Sequence, residues 1–152
     1  MANALIIYYS LMGRTAQAAK FIKKGLEAEN VVVESKNVHK AQAGDLVNTD
    51  IIVIGSPVHI RAPAMELRRF LNKLPENALA GKKVAIFMTY FLSGFEAALS
   101  TVEEIARDLG ATGEFPKLAQ RASFFRSLLS VITGSTEAEE AWVAFGKLIA
   151  TS

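Results

Sequence analysis

The sequence predicts an α/β architecture: a parallel sheet with helices on both faces. Three observations carry this. Apolar runs without polar alternation occur at 5–9, 51–54 and 84–90, as in strands buried on both faces. Stretches with apolar residues at helical spacing alternate with them, the pattern of βαβ units. Each run also leads into a segment rich in Gly, Ser, Pro or Thr, at 10–15, 56–62 and 89–94. Right-handed crossovers align those segments along one edge of the sheet, where such sheets hold ligands.

The first strand is expected over 5–9. The helix after it places Ala18, Ala19, Ile22 and Leu26 on one face and Lys20, Lys23, Lys24 and Glu27 mostly on the other. Asn30 punctuates, and Val31 to Val33 open a second strand. Residues 39–48 are polar and read as a loop with a short helical turn. The third strand spans 50–55 and ends at Gly55. Residues 56–63 form a loop set between Pro57 and Pro63. Leu67, Phe70, Leu71 and Leu74 mark the next helix by their i, i+3, i+4, i+7 spacing, and Pro75 ends it. A fourth strand follows over 84–90. Ala98, Leu99, Val102, Ile105, Ala106 and Leu109 then line a helix with Gly110 as its C-cap. A fifth strand belongs between 111 and 122, although Pro116 interrupts its signal. The last helix opens on the capping box Thr136-x-x-Glu139 and turns Ala138, Ala141, Trp142, Phe145, Leu148 and Ile149 inward.

Composition narrows the function classes. With 152 residues, 51% of them hydrophobic, and a mean hydropathy of +0.24, the chain suits one domain over 1–152 with a sizeable core. The absence of cysteine excludes disulfides, thiolate metal sites and a cysteine nucleophile, and fits a cytoplasmic setting. The N-terminal apolar run is too short for a signal-peptide core and lacks basic flanks. No apolar run reaches the length of a membrane span. The net charge of +2 and pI of about 8.9 come from cations interspersed with acids, so no nucleic-acid partner is expected.

The three loops carry the chemistry. Ser10-Leu-Met-Gly-Arg-Thr15 joins a strand to a helix. Gly13 permits a sharp turn or close backbone approach, Ser10 and Thr15 supply hydroxyls, and the first helical amides point unpaired N–H groups outward. That suits a phosphate; an ordinary capped strand-to-helix turn reads equally well. A Walker A loop and a dinucleotide fingerprint are excluded, because only one glycine is present. In the second loop, His59 stands between apolar neighbours with Arg61 close by. A lone histidine is more often structural or solvated, and no second ligand stands at metal-binding spacing; no metal site and no catalytic side chain is assigned. The loop backbone is instead suited to line a flat ring. In the third loop, Tyr90 and Phe91 adjoin Ser93-Gly94, one expected to point inward and the other outward toward a planar ligand. A phosphate cradle beside two ring-lining loops describes a nucleotide with a large flat heterocycle, and flavin mononucleotide (FMN) fits.

Here a resemblance adds to the reading. Tyr8-Tyr-Ser-Leu-Met-Gly-Arg-Thr15 resembles the phosphate loop of the flavodoxin family, usually Ser/Thr-x-Thr-Gly-x-Thr, with Met12 in place of one hydroxyl. Ile54-Gly-Ser-Pro-Val58 and the helix after it resemble that family's second loop, and 84–110 resembles its fourth strand, third loop and helix. The resemblance implies a flavodoxin-like three-layer sandwich, a five-stranded parallel sheet in the order 2-1-3-4-5, and FMN held without a covalent bond. It assigns the phosphate to Ser10, Leu11, Met12, Gly13, Arg14 and Thr15. Pro57, Val58, His59 and Ile60 line one side of the isoalloxazine, and Thr89, Tyr90, Phe91 and Gly94 the other. His59 stands where many flavodoxins place a tryptophan. The implied function is electron transfer between protein or small-molecule partners. Flavodoxins proper are strongly acidic, which disfavours the anionic reduced flavin; this mildly basic chain, with Arg14 and Arg61 in its loops, is expected to disfavour it less.

Residues 121–133 exceed what a short electron carrier needs. Phe124, Phe125, Leu128, Leu129 and Ile132 are spaced as an amphipathic face, either an extra helix packed on the domain or a contact for a protein or membrane surface. Asn37-Val-His-Lys40, and Phe124-Phe-Arg-Ser-Leu-Leu running into Gly134-Ser-Thr-Glu137, resemble parts of the flavodoxin-type, quinone-linked protoporphyrinogen oxidases, whose long insert is missing. That makes a quinone-linked oxidase the second reading. A flavin-free interaction module is the third, and Met12 and the second loop are its support. A phosphoacceptor receiver is disfavoured, since no acidic pair follows the first strand.

Overall fold

A computed structural model describes residues 2–121 and 137–152. The chain runs β1 (Asn3–Tyr8), α1 (Arg14–Ala28), β2 (Val32–Asn37), a 3₁₀ turn (Ala43–Leu46), β3 (Ile51–His59), β4 (Ala62–Pro63), α2 (Met65–Asn72), β5 (Lys83–Tyr90), α3 (Phe95–Asp108), β6 (Lys117–Arg121) and α4 (Glu137–Thr151). The main sheet has the order β2-β1-β3-β5-β6, parallel throughout. This is the expected 2-1-3-4-5 order, renumbered because the two-residue β4 intervenes.

The uninterrupted apolar runs are explained by two cores, one on each face of the sheet. Leu5 and Ile7 face α2 and α3 with Ile52, Ile54, Ile86 and Met88. Ile6 faces α1 and α4 with Val53, Ala85 and Phe87, and Trp142, Phe145 and Ile149 close that side. A central strand covered on both faces leaves no position for a polar residue.

α1 and α4 meet at a glycine notch. A Cβ built on Gly25 would lie 2.1 Å from the Val143 carbonyl oxygen, and one on Gly146 would lie 2.3 Å from that of Ile22. Only two facing glycines let the backbones come this close.

Three expectations are corrected. The third strand does not stop at Gly55 but continues through Ser56, Pro57, Val58 and His59. At Ser56 and Pro57 it has outrun β1 and pairs with β5 on one side only, an edge position where proline is tolerated. Residues 56–63 are therefore largely a β-hairpin rather than a loop, with β4 antiparallel to β3. Leu148 is exposed, while Trp142, Phe145 and Ile149 take the buried stripe of α4 together with Gly146. The fifth long strand begins at Lys117, directly after Pro116, whose carbonyl accepts from the Ile86 N–H; the proline opens the strand instead of breaking it. The proposed amphipathic face at Phe124, Phe125, Leu128, Leu129 and Ile132, and Thr136 of the capping box, lie outside the described residues.

Candidate functional site

The loops after β1, β3 and β5 lie side by side at the carboxyl edge of the sheet. Direct contacts tie them together. Tyr9 N–H donates to the Gly55 carbonyl at 3.2 Å. The Thr15 and Thr89 hydroxyls are hydrogen-bonded at 2.9 Å, both side chains buried. The backbone and side chain of Arg61 pack against Gly94 so closely that a Cβ there would meet Arg61 Cα at 2.9 Å.

In the first loop, the Ser10 hydroxyl accepts from the N–H groups of Gly13 (3.1 Å) and Ala16 (3.2 Å). Gly13 has φ of 87°, the left-handed conformation that glycine adopts without steric cost. The bend delivers four further N–H groups, those of Leu11, Met12, Arg14 and Thr15, that have no acceptor among the described residues. The side chains of Leu11 and Met12 are exposed. No acidic residue stands in the first turn of α1, and its first residue is Arg14. A cation at the positive end of a helix dipole is unfavourable unless an anion sits there.

The second loop is the turn of the β3–β4 hairpin. Val58 pairs with Pro63 and His59 with Ala62, leaving Ile60 and Arg61 as a two-residue turn. Both have positive φ, 47° and 65°, the signature of a type I′ turn, for which Asn-Gly is the usual sequence. A β-branched isoleucine in this region is strained. Pro57 and Val58 are half-buried, and His59 and Ile60 are exposed. The hairpin is braced from below by Ser56, fully buried, whose hydroxyl accepts from Ala64 N–H at 2.8 Å and donates to the Pro57 carbonyl at 2.7 Å.

In the third loop, Tyr90 is half-buried and stacks on Phe95 at 4.7 Å between centroids, with the Arg121 guanidinium 5.9 Å from its ring. Phe91 points outward. Gly94, at φ of 91°, precedes α3. All fourteen residues assigned from the sequence thus fall on one edge.

The flavodoxin domain family matches residues 5–125 of this chain. The flavodoxin of Maridesulfovibrio salexigens is 32% identical over 125 residues, which cover 73% of this chain and 80% of that protein. This chain belongs to the flavodoxin family. The flavodoxin of Clostridium saccharobutylicum is 28% identical over 100 residues, covering 64% of this chain and 62% of that one. Among solved structures, oxidised flavodoxin 2 of Bacillus cereus superposes with a TM-score of 0.80 at 26% identity over 99% of each chain. A flavodoxin from the Archaea gives 0.76 at 22% identity, covering 98% of this chain and 96% of that one, a likeness of fold.

As a flavodoxin, the protein has FMN as its cofactor and transfers electrons. The first loop fits that group. Its converging N–H groups and its lone cation supply what a phosphate monoester needs, namely donors and positive potential without a carboxylate. Sequence reasoning missed Ser56 as a brace, the Thr15–Thr89 bond and the reason for Gly55. A Cβ on Gly55 would meet the Phe87 ring at 2.0 Å, so that glycine makes room for the core. None of these is visible without knowing which residues face each other. Among the described residues, no helix is long and apolar enough to cross a membrane.

Proposed function

We propose that this flavodoxin is an electron carrier between redox partner proteins, with FMN seated across the ends of β1, β3 and β5. Ser10, Leu11, Met12, Gly13, Arg14 and Thr15 hold the phosphate. Thr15 contributes its N–H, while its hydroxyl ties the first loop to Thr89. Pro57, Val58, His59 and Ile60 flank the isoalloxazine on one side, and Thr89, Tyr90, Phe91 and Gly94 on the other. The observation that carries this reading is the set of unpartnered N–H groups at the start of α1, beside two loops bearing exposed apolar and aromatic side chains.

When bound, FMN supplies the one- and two-electron redox chemistry; the protein's part is to orient it and set its potential. Ser10 fixes the amides toward the phosphate. The hairpin and third loop exclude water from the ring faces. Carrier function is favoured over turnover of a dedicated substrate because the three loops offer one imidazole, His59, which has no hydrogen-bonded carboxylate among the described residues, whereas acid–base catalysis needs an oriented pair.

The test is a visible spectrum of the purified protein before and after FMN is added and the excess removed, followed by redox titration. Retained flavin bands with quenched fluorescence support the reading. A protein that stays colourless points to the flavin-free module instead. Turnover of protoporphyrinogen with a quinone acceptor returns the oxidase reading.

A further inference from the structure

β2 lies at the edge of the main sheet. It pairs with β1 on one side, and among the described residues no strand pairs with its other side. The register fixes which backbone groups are spare. Val32 N–H donates to the Ala2 carbonyl at 3.0 Å, and Val38 N–H to that of Tyr8 at 2.8 Å. Val32, Glu34 and Lys36 therefore turn their amides toward β1, while Val33, Ser35 and Asn37 turn theirs away. The N–H groups of Val33, Ser35 and Asn37 have no acceptor among the described residues. The Asn37 carbonyl already accepts from the Lys40 and Ala41 N–H groups, at 2.9 and 3.0 Å, and so ends the open stretch. A row of free donors and acceptors of this kind is a template for another strand.

The side chains along this edge discriminate between registers. Val32, Glu34 and Lys36 share one face of the strand. Val32 is 53% exposed and Glu34 is exposed. Lys36 is held by Asp45 at 3.0 Å, with Glu34 at 3.7 Å. An antiparallel second copy can form hydrogen bonds only where an outward-turned residue meets another. Setting Val33 against Ser35 puts Glu34 across from Glu34, and setting Ser35 against Asn37 puts Lys36 across from Lys36. Both place like charges directly opposite at the closely spaced positions, which is destabilising. Setting Ser35 against Ser35 puts Glu34 of each chain across from Lys36 of the other, twice, about a two-fold axis.

We propose that β2 is the edge through which two copies of this chain associate, antiparallel, with the two-fold axis at Ser35. The main sheets of five strands then join into one of ten. The two Ser35 residues exchange both of their outward hydrogen bonds, and each Asn37 N–H reaches the Val33 carbonyl opposite. The flanking Glu34–Lys36 pairs select this register. Each copy uses its only β2 edge, so the contact closes on itself and stops at a dimer. Because the strands run antiparallel, the pairing does not bring the two cofactor sites together.

The test is sedimentation equilibrium of the full chain over a range of concentrations, read against a monomer of 16.5 kDa. The wild type is expected to approach twice that mass as concentration rises. Ser35→Pro removes the central outward amide and leaves the bonds to β1 in place, so it is expected to stay monomeric with an unchanged thermal midpoint. Glu34→Lys sets lysine against lysine and is expected to weaken association about tenfold. Glu34→Lys combined with Lys36→Glu restores opposite charges across the axis and is expected to recover most of that loss, which a purely structural role for Glu34 would not produce. Far-UV circular dichroism checks that each variant is folded; should Ser35→Pro unfold, the charge variants decide alone. A wild type that stays monomeric at its highest soluble concentration overturns the proposal, whether the edge is left to water or taken by a strand of another protein. So does a dimer that survives folded Ser35→Pro, because it uses another face. Failure of the charge exchange to recover association overturns it as well.

Discussion

At the scale of single residues, the site is shaped by backbone constraints that side-chain chemistry does not announce. Ile60 and Arg61 occupy a turn that prefers Asn-Gly. Replacing them by Asn and Gly is expected to raise stability by about 1–2 kcal/mol, since each strained residue costs of that order; denaturant midpoints measure it. Ser10→Ala removes the acceptor for two loop amides. Loss of a cap of this kind costs about 1 kcal/mol, which corresponds to roughly fivefold weaker FMN binding, read by fluorescence titration. Gly94→Ala meets both a positive φ and the backbone of Arg61, so it is expected to lower stability and flavin retention together. Gly94 was legible from the sequence as a loop glycine, but its contact with Arg61 was not, because the two residues come from different βα units.

At the scale of elements, the α3–β6 connection is held by charge. Glu103 pairs with Lys117 and Arg107, both at 2.9 Å, and Arg107 also lies 4.5 Å over the Phe115 ring. Hydrogen bonding from Lys117 and then Arg107 keeps the Glu103 carboxyl below its usual range. A carboxyl with a lowered folded-state value stabilises the protein above its unfolded value, and that contribution is lost as pH falls through the folded one. Stability is thus expected to decline in acid below the ordinary glutamate range. Glu103→Gln is expected to flatten that decline by about 0.5–1 kcal/mol, the scale of partly exposed ion pairs, as measured by denaturation across pH. Most elements could be read from the sequence because a doubly covered strand and an amphipathic helix leave strong periodic signals. The hairpin at Ser56–Pro63 escaped that reading. Pro57 resembles a strand breaker until it is known that β1 has already ended beside it, and a two-residue strand such as β4 has no period to detect.

For the whole molecule, the arrangement of charge matters more than its sum. Arg14 and Arg61 in the cofactor loops favour an anion placed there, so the reduced flavin is expected at a less negative potential than in a strongly acidic flavodoxin; about 59 mV represents a tenfold change for a one-electron step. A redox titration with a very low second potential would contradict this. Arg61→Glu is expected to move the potential downward. Strand order was legible from the three motifs that carry the family resemblance, taken in sequence order. The glycine notch offers a further check of the sandwich: Gly25→Ala or Gly146→Ala puts a methyl against backbone and is expected to cost about 3 kcal/mol.

That notch also bears on how the protein is made. α1 precedes its partner Glu137–Thr151 by more than a hundred residues and is synthesised well before it. The face bearing Ile22, Leu26 and Phe87 therefore emerges from the ribosome uncovered. At ordinary elongation rates, the fifteen residues of α4 take roughly one to three seconds. During that interval the sheet can pair and the core under α2 and α3 can form, but the one between the sheet, α1 and α4 remains open to water and to other nascent chains. A polypeptide stalled before Trp142 would expose this apolar face for as long as the stall lasts, making it a substrate for chaperones even when its cofactor loops are already in place.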